Sequence, residues 1–412
     1  MRSSECGVVD RKSSRGFTRI NADSRERKLE LKSTQNLEPE TRNPKLRTPN
    51  SKLQTPKDHI MNLLLIIMSL TITPMSATGS NQDKAKAMDA LFSSYSAPGA
   101  PGASVIVIKD GKVLFKKAYG LANLEKKVAA TTSTNYRLAS VTKQFTAMAI
   151  MILAERQKLS YEDRLSDFFP GFPEYGKQIT VRHLLNHTSG LIAYEDVMDD
   201  NTTTPLNDND VLKLMEQQDH THFPPGSQYR YSNSGYVLLG LIIEKASGMK
   251  FSDFLHQNIF APLKMKHTVI YQRDDHSDPR RAYGYSKRDD VFVRTDQSLT
   301  SSTRGDGAIY SSVEDLYKWD QALDTTRLVS AATLEQAFTS ATKVDEDTGY
   351  GFGWFVENRH GKRTVWHSGN TIGFTQYIRR YRDQKFTIIV QANRNDAPLA
   401  ELVDKIEEVF LP

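Results

Sequence analysis

Residues 136–156 are the most informative stretch of the chain and read YRLASVTKQFTAMAIMILAER. Apolar side chains recur there at helical spacing between Val141 and Leu153, which predicts a helix that ends near Arg156. Ser140 and Lys143 stand at its start. A serine in a first turn places its hydroxyl beside unpaired backbone N–H groups. A lysine three residues later lies on the same face and can reach that oxygen.

The Ser140–Lys143 pair has the composition of an activated nucleophile. A buried lysine loses proton affinity, so it can act as a base toward a neighbouring hydroxyl. The tetrapeptide is short, and a serine at a helix start is also a common N-cap. Taken alone, the spacing therefore leaves a nucleophile and a structural cap both open.

A second group of polar residues is Tyr231-Ser232-Asn233, which precedes a helical run from Gly235 to Ala246. A tyrosine near a lysine ammonium has a favoured phenolate and can relay protons. The Asn233 amide can accept a hydrogen bond from lysine and donate one to a substrate carbonyl. The alternative is that both residues only pack and cap.

A third group, His367-Ser368-Gly369, lies at the end of the predicted strand that begins at Arg363. A glycine there lets a substrate approach the strand backbone closely. The N–H of Asn370 would then complete an oxyanion hole with the N–H of Ser140. A histidine at a strand end can equally be structural.

The two ends of the chain are rich in predicted strands. Ala103–Ile108 and Val113–Tyr119 flank Asp110-Gly111, which is a strong hairpin signal. Further strands are predicted at Gly351–Val356, Arg363–His367, Thr375–Tyr381 and Phe386–Ala392, before a closing helix at Pro398–Phe410. The pattern predicts a mainly helical region between the two ends, at about residues 138–330. We therefore predict an α+β fold, in which an antiparallel sheet built from both chain ends is flanked by helices and carries an inserted helical lobe.

The order Ser-x-x-Lys, Tyr-x-Asn, His-x-Gly resembles the class C branch of the serine β-lactamase and penicillin-binding protein superfamily. That branch includes D-Ala-D-Ala carboxypeptidases, D-aminopeptidases and family VIII esterases. The resemblance covers about residues 85–410. The longer similar stretches are residues 137–146, 182–190, 231–240, 305–307 and 310–316.

This resemblance implies a β-lactamase/transpeptidase-like fold and a serine hydrolase that forms a covalent acyl-enzyme. Ser140 would be acylated, with Lys143 and Tyr231 activating it. Tyr231 would also protonate the leaving group, and Asn233 would orient the substrate. His367 stands where β-lactamases carry a lysine that holds the substrate carboxylate, so it would be a weaker cation.

The resemblance leaves the substrate open between an ester, a D-amino-acid peptide and a lactam. The alternative function is a peptidoglycan or β-lactam binding protein of the same fold that does not turn over. Neither function requires a cofactor.

The composition of the chain argues against nucleic-acid binding and against metal sites built from cysteine. The net charge of +5 comes from residues 1–60, which hold 14 basic and 8 acidic residues, whereas the rest of the chain holds 40 and 41. A nearly neutral body gives no reason to expect nucleic-acid binding. The single cysteine is Cys6, so the body has no thiolate ligand. The pairs His183/His187 and His220/His222 lack a metal-site pattern, so no metal is expected and they are interpreted as structural turn residues.

The first 80 residues have the composition of a leader. Residues 1–60 are polar and aperiodic, which indicates a disordered or spurious extension. Residues 61–80 combine an apolar run with small residues, as in a signal peptide that is too short to span a bilayer. We therefore expect translation to begin at Met61, a mature domain at residues 81–412 and a periplasmic or secreted location. The alternative is a natural disordered leader with an apolar patch.

Overall fold

The structure is a computed structural model that describes residues 80–271 and 278–411. The predicted extension and signal segment, residues 1–60 and 61–80, lie outside these ranges except for Ser80. Within the described ranges, no helix is both long enough and apolar enough to cross a membrane. The described residues therefore belong to the predicted mature domain, apart from Ser80.

The strands of the described chain divide among one large sheet and three small ones. Their bounds are β1 (Ala103–Lys109), β2 (Lys112–Tyr119), β3 (Leu121–Asn123), β4 (Val128–Ala129), β5 (Tyr136–Arg137), β6 (Val269–Ile270), β7 (Tyr285–Arg288), β8 (Val291–Arg294), β9 (Ile309–Ser311), β10 (Thr342–Lys343), β11 (Thr348–Tyr350), β12 (Phe355–Arg359), β13 (Lys362–Thr371), β14 (Phe374–Tyr381) and β15 (Phe386–Ala392). The large sheet is antiparallel in the order β10-β11-β12-β13-β14-β15-β1-β2. Because β1 lies between β2 and β15, the predicted sheet from both chain ends is confirmed.

The β1–β2 hairpin follows from local sequence. Asp110 and Gly111 adopt φ values of 49° and 73°, and positive φ at both turn residues matches the twist of a two-residue hairpin. Successive side chains of a strand point to opposite faces. Val105 and Val107 accordingly enter the core layer under the terminal helices, while Ile106 and Ile108 enter the core of the helical lobe.

The helices cover both faces of the large sheet. Their bounds are α1 (Asn81–Leu91), α2 (Lys143–Glu155), α3 (Leu165–Phe168), α4 (Val181–Leu185), α5 (Tyr194–Val197), α6 (Asp208–Glu216), α7 (Asn233–Ser247), α8 (Phe251–Leu255), α9 (Val313–Ala322), α10 (Ala331–Ala337) and α11 (Leu399–Phe410). α1 and α11 pack on one face through an apolar stripe that includes Leu402, Val403 and Ile406. α2 and α7 pack together in the lobe on the other face, and each begins at a predicted catalytic motif.

The predicted strand Gly351–Val356 is wrong in its bounds, because residues 351–354 form a loop between β11 and β12. A Cβ on Gly351 would lie 2.2 Å from the carbonyl oxygen of Ala337. Gly353 has φ of 77°, and a Cβ there would lie 2.9 Å from the carbonyl oxygen of Lys143. This loop is therefore glycine-rich because it packs directly against helix backbones, including the start of α2.

Candidate active site

Ser140 lies on a short 3₁₀ turn, Ala139–Thr142, between β5 and α2. Its Oγ accepts a hydrogen bond from Lys143 Nζ at 3.2 Å. Neither the turn nor α2 receives a side-chain cap from Ser140, so the N-cap alternative is not what the structure contains. Ala139 has φ of 47°, a left-handed conformation that is uncommon for a residue with a Cβ. The backbone is thus bent sharply just before the hydroxyl.

Lys143 is completely buried. Its Nζ donates to three oxygens, which are Ser140 Oγ at 3.2 Å, Asn233 Oδ1 at 2.8 Å and the carbonyl of Asp306 at 3.1 Å. An ammonium has three protons, so all its donors are used. Burial lowers the pKa of Lys143 to about 8, although the carboxylates of Asp306 and Glu195 oppose this. A substantial fraction of Lys143 is therefore unprotonated at mildly alkaline pH and can accept a proton.

Tyr231 presents a buried hydroxyl that has no hydrogen-bond partner of ordinary geometry among the described residues. Lys143 Nζ lies over the ring face, 4.9 Å from its centroid. Burial raises the pKa of Tyr231, and the nearby Ser140 hydroxyl lowers it only in part. The expectation of a favoured phenolate therefore does not fit this geometry, because the ammonium faces the ring and not the oxygen. Tyr231 is a phenol at neutral pH and can donate a proton.

Asn233 is the first residue of α7, where Ser232 caps the helix by accepting from the N–H of Gly235. The predicted acceptance from Lys143 is present. The amide nitrogen of Asn233, however, donates to Glu195 Oε1 at 2.8 Å. One of its two N–H donors is thus engaged by a carboxylate that the motifs did not indicate.

The edge of β13 runs past the Ser140 turn. β12 pairs with β13 only as far as Trp366, so Gly369 and Asn370 have no strand partner on that side. A Cβ on Gly369 would lie 2.1 Å from the carbonyl oxygen of Leu138 and 3.2 Å from the nitrogen of Ser140. Only a glycine fits this approach. The oxyanion hole formed by the N–H groups of Ser140 and Asn370 stays a prediction, and it is compatible with this proximity.

His367 is buried, and both ring nitrogens are engaged within the protein. Nδ1 lies 2.6 Å from the carbonyl oxygen of Ser368, and Nε2 lies 3.0 Å from the Tyr350 hydroxyl. A carbonyl only accepts, so Nδ1 carries the proton and Tyr350 donates to Nε2. Burial lowers the pKa of His367 to about 3, and the charge of Lys143 adds to the effect. The expected weak cation is therefore a neutral imidazole here.

A polar pocket of about 80 Å³ opens beside the nucleophile. Its lining includes Ser140, Asn233, Glu195, Asp306, Arg137 and Asn370. Sequence reasoning assigned no role to Glu195 and noted Asp306 only within a family-like stretch. Burial raises the pKa of Glu195, and the charge of Asp306 acts in the same direction. Two neighbouring carboxylates therefore face the space where an acyl group would bind.

The other histidine pairs support structural roles. His183 Nδ1 accepts from the N–H of Thr180 at 3.2 Å and so helps to cap α4. His220 is paired with its neighbour Asp219 on the surface. Among residues 80–271 and 278–411, no group of three His, Cys, Asp or Glu side chains is arranged to hold a metal ion.

Comparison with known proteins fits this geometry. Residues 88–409 match the Beta-lactamase family model. The chain belongs to the beta-lactamase family. It is 35% identical over 333 residues to penicillin-binding protein 4* of Bacillus subtilis strain 168, across 76% of this chain and 73% of that protein.

Two solved structures share the fold of this beta-lactamase family member. The octameric penicillin-binding protein homologue from Pyrococcus abyssi has a TM-score of 0.71 and 29% identity, over 81% of this chain and 77% of that one. The D-amino acid amidase from Ochrobactrum anthropi SV3, complexed with L-phenylalanine amide, has a TM-score of 0.69 and 25% identity, over 79% and 98%. The predicted serine hydrolase of the β-lactamase and penicillin-binding protein superfamily is confirmed.

Proposed function

We propose that this hydrolase cleaves amides or short peptides whose acyl group carries a free ammonium beside the scissile carbonyl, with D-amino-acid amides as the representative class. The observation that carries the proposal is the carboxylate pair in the pocket next to Ser140. Asp306 Oδ1 is buried and has no hydrogen-bond partner among the described residues. An ammonium would donate to this oxygen and to Glu195, and would relieve the repulsion between them.

The charges of the pocket disfavour a substrate carboxylate. His367 is neutral, so the position that holds a cation in β-lactamases has none here. Arg137 lines the pocket, but its guanidinium donates to the carbonyls of Gly307 and Ser301 and to Gln297 Oε1. The two pocket carboxylates would repel the carboxylate of a penicillin. Efficient lactam hydrolysis is therefore not expected, and an N-terminal amine is the better match.

The reaction we propose uses the residues already described. Unprotonated Lys143 takes the proton of Ser140, and Oγ attacks the carbonyl carbon. The N–H groups of Ser140 and Asn370 stabilise the oxyanion. Tyr231 gives its phenolic proton to the leaving amine as the C–N bond breaks, and Lys143 returns a proton to Tyr231. Water then attacks the acyl-enzyme by the reverse sequence and releases the acid.

Similarity to the D-amino acid amidase supports the class of substrate, since amides of amino acids carry this amine. The test compares D-phenylalanine amide with its N-acetyl derivative, which keeps the shape of the acyl group but removes the charge. We expect kcat/KM to fall at least tenfold on acetylation. The L-enantiomer and a penicillin complete the panel.

Replacing the two pocket carboxylates tests whether they are the groups that recognise the free amine. In Glu195→Gln and Asp306→Asn the preference for the free amine should shrink, while an uncharged p-nitrophenyl ester should be hydrolysed at a rate closer to that of wild type. Equal rates for the free and acetylated amides in the wild type would refute the proposal. A single acylation without turnover on every substrate would instead favour a binding protein.

We further propose that the chain is exported through residues 61–80 and acts in the periplasm or outside the cell. The support is the apolar run after Met61 and the small residues that follow it. A peptide-like substrate bearing a free amine is compatible with that location.

A further inference from the structure

His187 lies directly behind Tyr231 and takes no part in the reaction proposed above. It belongs to the turn after α4, is completely buried and has φ of 60°. Its ring packs on the ring of Tyr231 with centroids 4.2 Å apart and an interplanar angle of 35°. The sequence indicated only a structural turn residue at this position.

Two hydrogen bonds connect His187 to the residues on either side of Tyr231. The N–H of Arg230 donates to the carbonyl of His187 at 2.9 Å. The N–H of Ser232 donates to His187 Nδ1 at 3.1 Å. His187 therefore holds Tyr231 in three ways: through the backbone of Arg230, through the backbone of Ser232 and by packing on the face of the tyrosine ring. The left-handed φ of His187 is the conformation in which its carbonyl and its ring both reach residues 230–232.

The protonation state of His187 suits this arrangement. Because Nδ1 accepts from a backbone N–H, the ring proton lies on Nε2, and Nε2 has no partner among the described residues. Burial holds the pKa of His187 well below its usual range, and the charge of Lys143 acts in the same direction. Nδ1 is thus an acceptor throughout the working pH range.

We infer that His187 is the positioning residue for Tyr231, and that it fixes the phenolic oxygen beside Ser140 by holding the backbone and ring of residues 230–232. This rests on the proposed role of Tyr231 as the proton donor to the leaving group. His187 itself contacts no substrate, because it is buried behind the tyrosine and does not line the pocket.

A role for His187 in placing Tyr231 predicts different effects on two kinds of leaving group. An amide nitrogen must be protonated before it leaves, whereas p-nitrophenolate leaves without a proton. If His187 acts by placing Tyr231, its loss lowers kcat/KM, which reports the acylation step, selectively for the amide. A purely structural role lowers the amount of active protein and reduces both activities by the same factor.

The experiment compares His187→Phe with His187→Asn in the full protein. Phenylalanine keeps the ring but removes the acceptor, while asparagine keeps an oxygen near the Nδ1 position and tolerates a left-handed backbone. Amide and p-nitrophenyl ester substrates with the same acyl group are assayed, and rates are divided by the active-site concentration from fluorophosphonate labelling. We expect His187→Phe to lose at least tenfold more amide than ester activity, and His187→Asn to recover most of it.

His183→Phe is the matched control, since it removes a similar imidazole-to-backbone hydrogen bond away from Tyr231, and it should leave the amide-to-ester ratio unchanged. The variant Tyr231→Phe shows which of two ideas has failed, the role of Tyr231 as proton donor or the role of His187 in placing it. If it shows no selective loss, the proposed proton donor is wrong. If it does and His187→Phe does not, only the His187 inference is overturned.

A measurement on the wild type tests the inference even if the variants do not fold. Nitrogen NMR of labelled histidine should show Nδ1 of His187 unprotonated from pH 5 to 9. A proton on Nδ1 would overturn the inference, because that nitrogen could not then accept from Ser232.

Discussion

Replacing Lys143 with methionine tests whether the buried amine is the base. Methionine has a similar length and fills the same space without a charge. Hydrolysis should be abolished, because Lys143 is the group that takes the proton of Ser140 Oγ in the proposed reaction and lies within hydrogen-bond distance of it. The same variant should change how stability depends on pH, and the structure gives the size of that change.

The magnitude follows from the pKa of Lys143, which burial lowers from 10.5 to about 8. This lowering of the pKa means that the free energy of unfolding is about 3 kcal/mol larger when Lys143 is unprotonated than when it is protonated. Between pH 8 and 10.5 the unfolded chain keeps the proton while the folded protein has lost it, so folding releases a proton. The free energy of unfolding of the wild type should therefore rise by about 3 kcal/mol relative to Lys143→Met across this window. Titrating groups that Lys143 does not influence are common to both proteins and cancel in the difference.

Urea unfolding at several pH values from 7 to 10.5 measures this difference directly. In parallel, kcat/KM of the wild type should rise with an apparent pKa near 8. It should show no step near 6.5, because the pKa of His367 is about 3. A stability difference that stays flat, or that falls as the pH rises, would refute the assignment of a buried lysine that is deprotonated in this range.

Other predictions address the nucleophile, the strand edge and processing. Ser140→Ala should abolish fluorophosphonate labelling and turnover while changing the unfolding free energy by less than about 1 kcal/mol, since the hydroxyl caps no helix; labelling at another serine would contradict this. Gly369→Ala places a Cβ 2.1 Å from the Leu138 carbonyl, so the acylation rate should fall sharply, and stability should fall by about 1–3 kcal/mol in thermal unfolding. Substituting lysine for His367 should raise penicillin binding relative to ester hydrolysis, and equal effects on charged and uncharged substrates would argue against a carboxylate at that position. Mass spectrometry of secreted protein should find an N-terminus between about residues 77 and 82, and peptides from residues 1–60 would contradict the processing prediction.

The parts of the site that sequence reasoning predicted are those fixed by local spacing. Ser140 and Lys143 are three residues apart, so their contact follows from a single turn of backbone. The hydrogen bond between Lys143 and Asn233 is an exception, because it joins residues 90 positions apart and is predicted from the ability of an amide oxygen to accept from a lysine. The sheet from both chain ends was equally predictable, since each strand carries its own apolar pattern and turn residues.

The parts that were missed depend on contacts between distant segments. Glu195 meets Asn233 only because the loop before α5 folds back over the start of α7. Asp306 reaches Lys143 across 163 residues of sequence through a backbone carbonyl, which no side-chain pattern reveals. The neutral state of His367 likewise results from burial against Tyr350 and Phe355, which belong to other strands.

The large sheet cannot be completed until the whole chain has been synthesised, because strands from its two ends pair with each other. β1 pairs with β15 in the register Ala103 to Ala392, so a contact inside the sheet, one strand from its β2 edge, joins residues nearly 290 positions apart in the sequence. Contacts of such long range slow folding, because the entropy of closing a long loop is lost before the contact stabilises the chain. During synthesis the apolar β1 has no partner on its β15 side until the final strand has left the ribosome. A message truncated before residue 386 would therefore yield a chain with an open, aggregation-prone strand edge and no partially active enzyme.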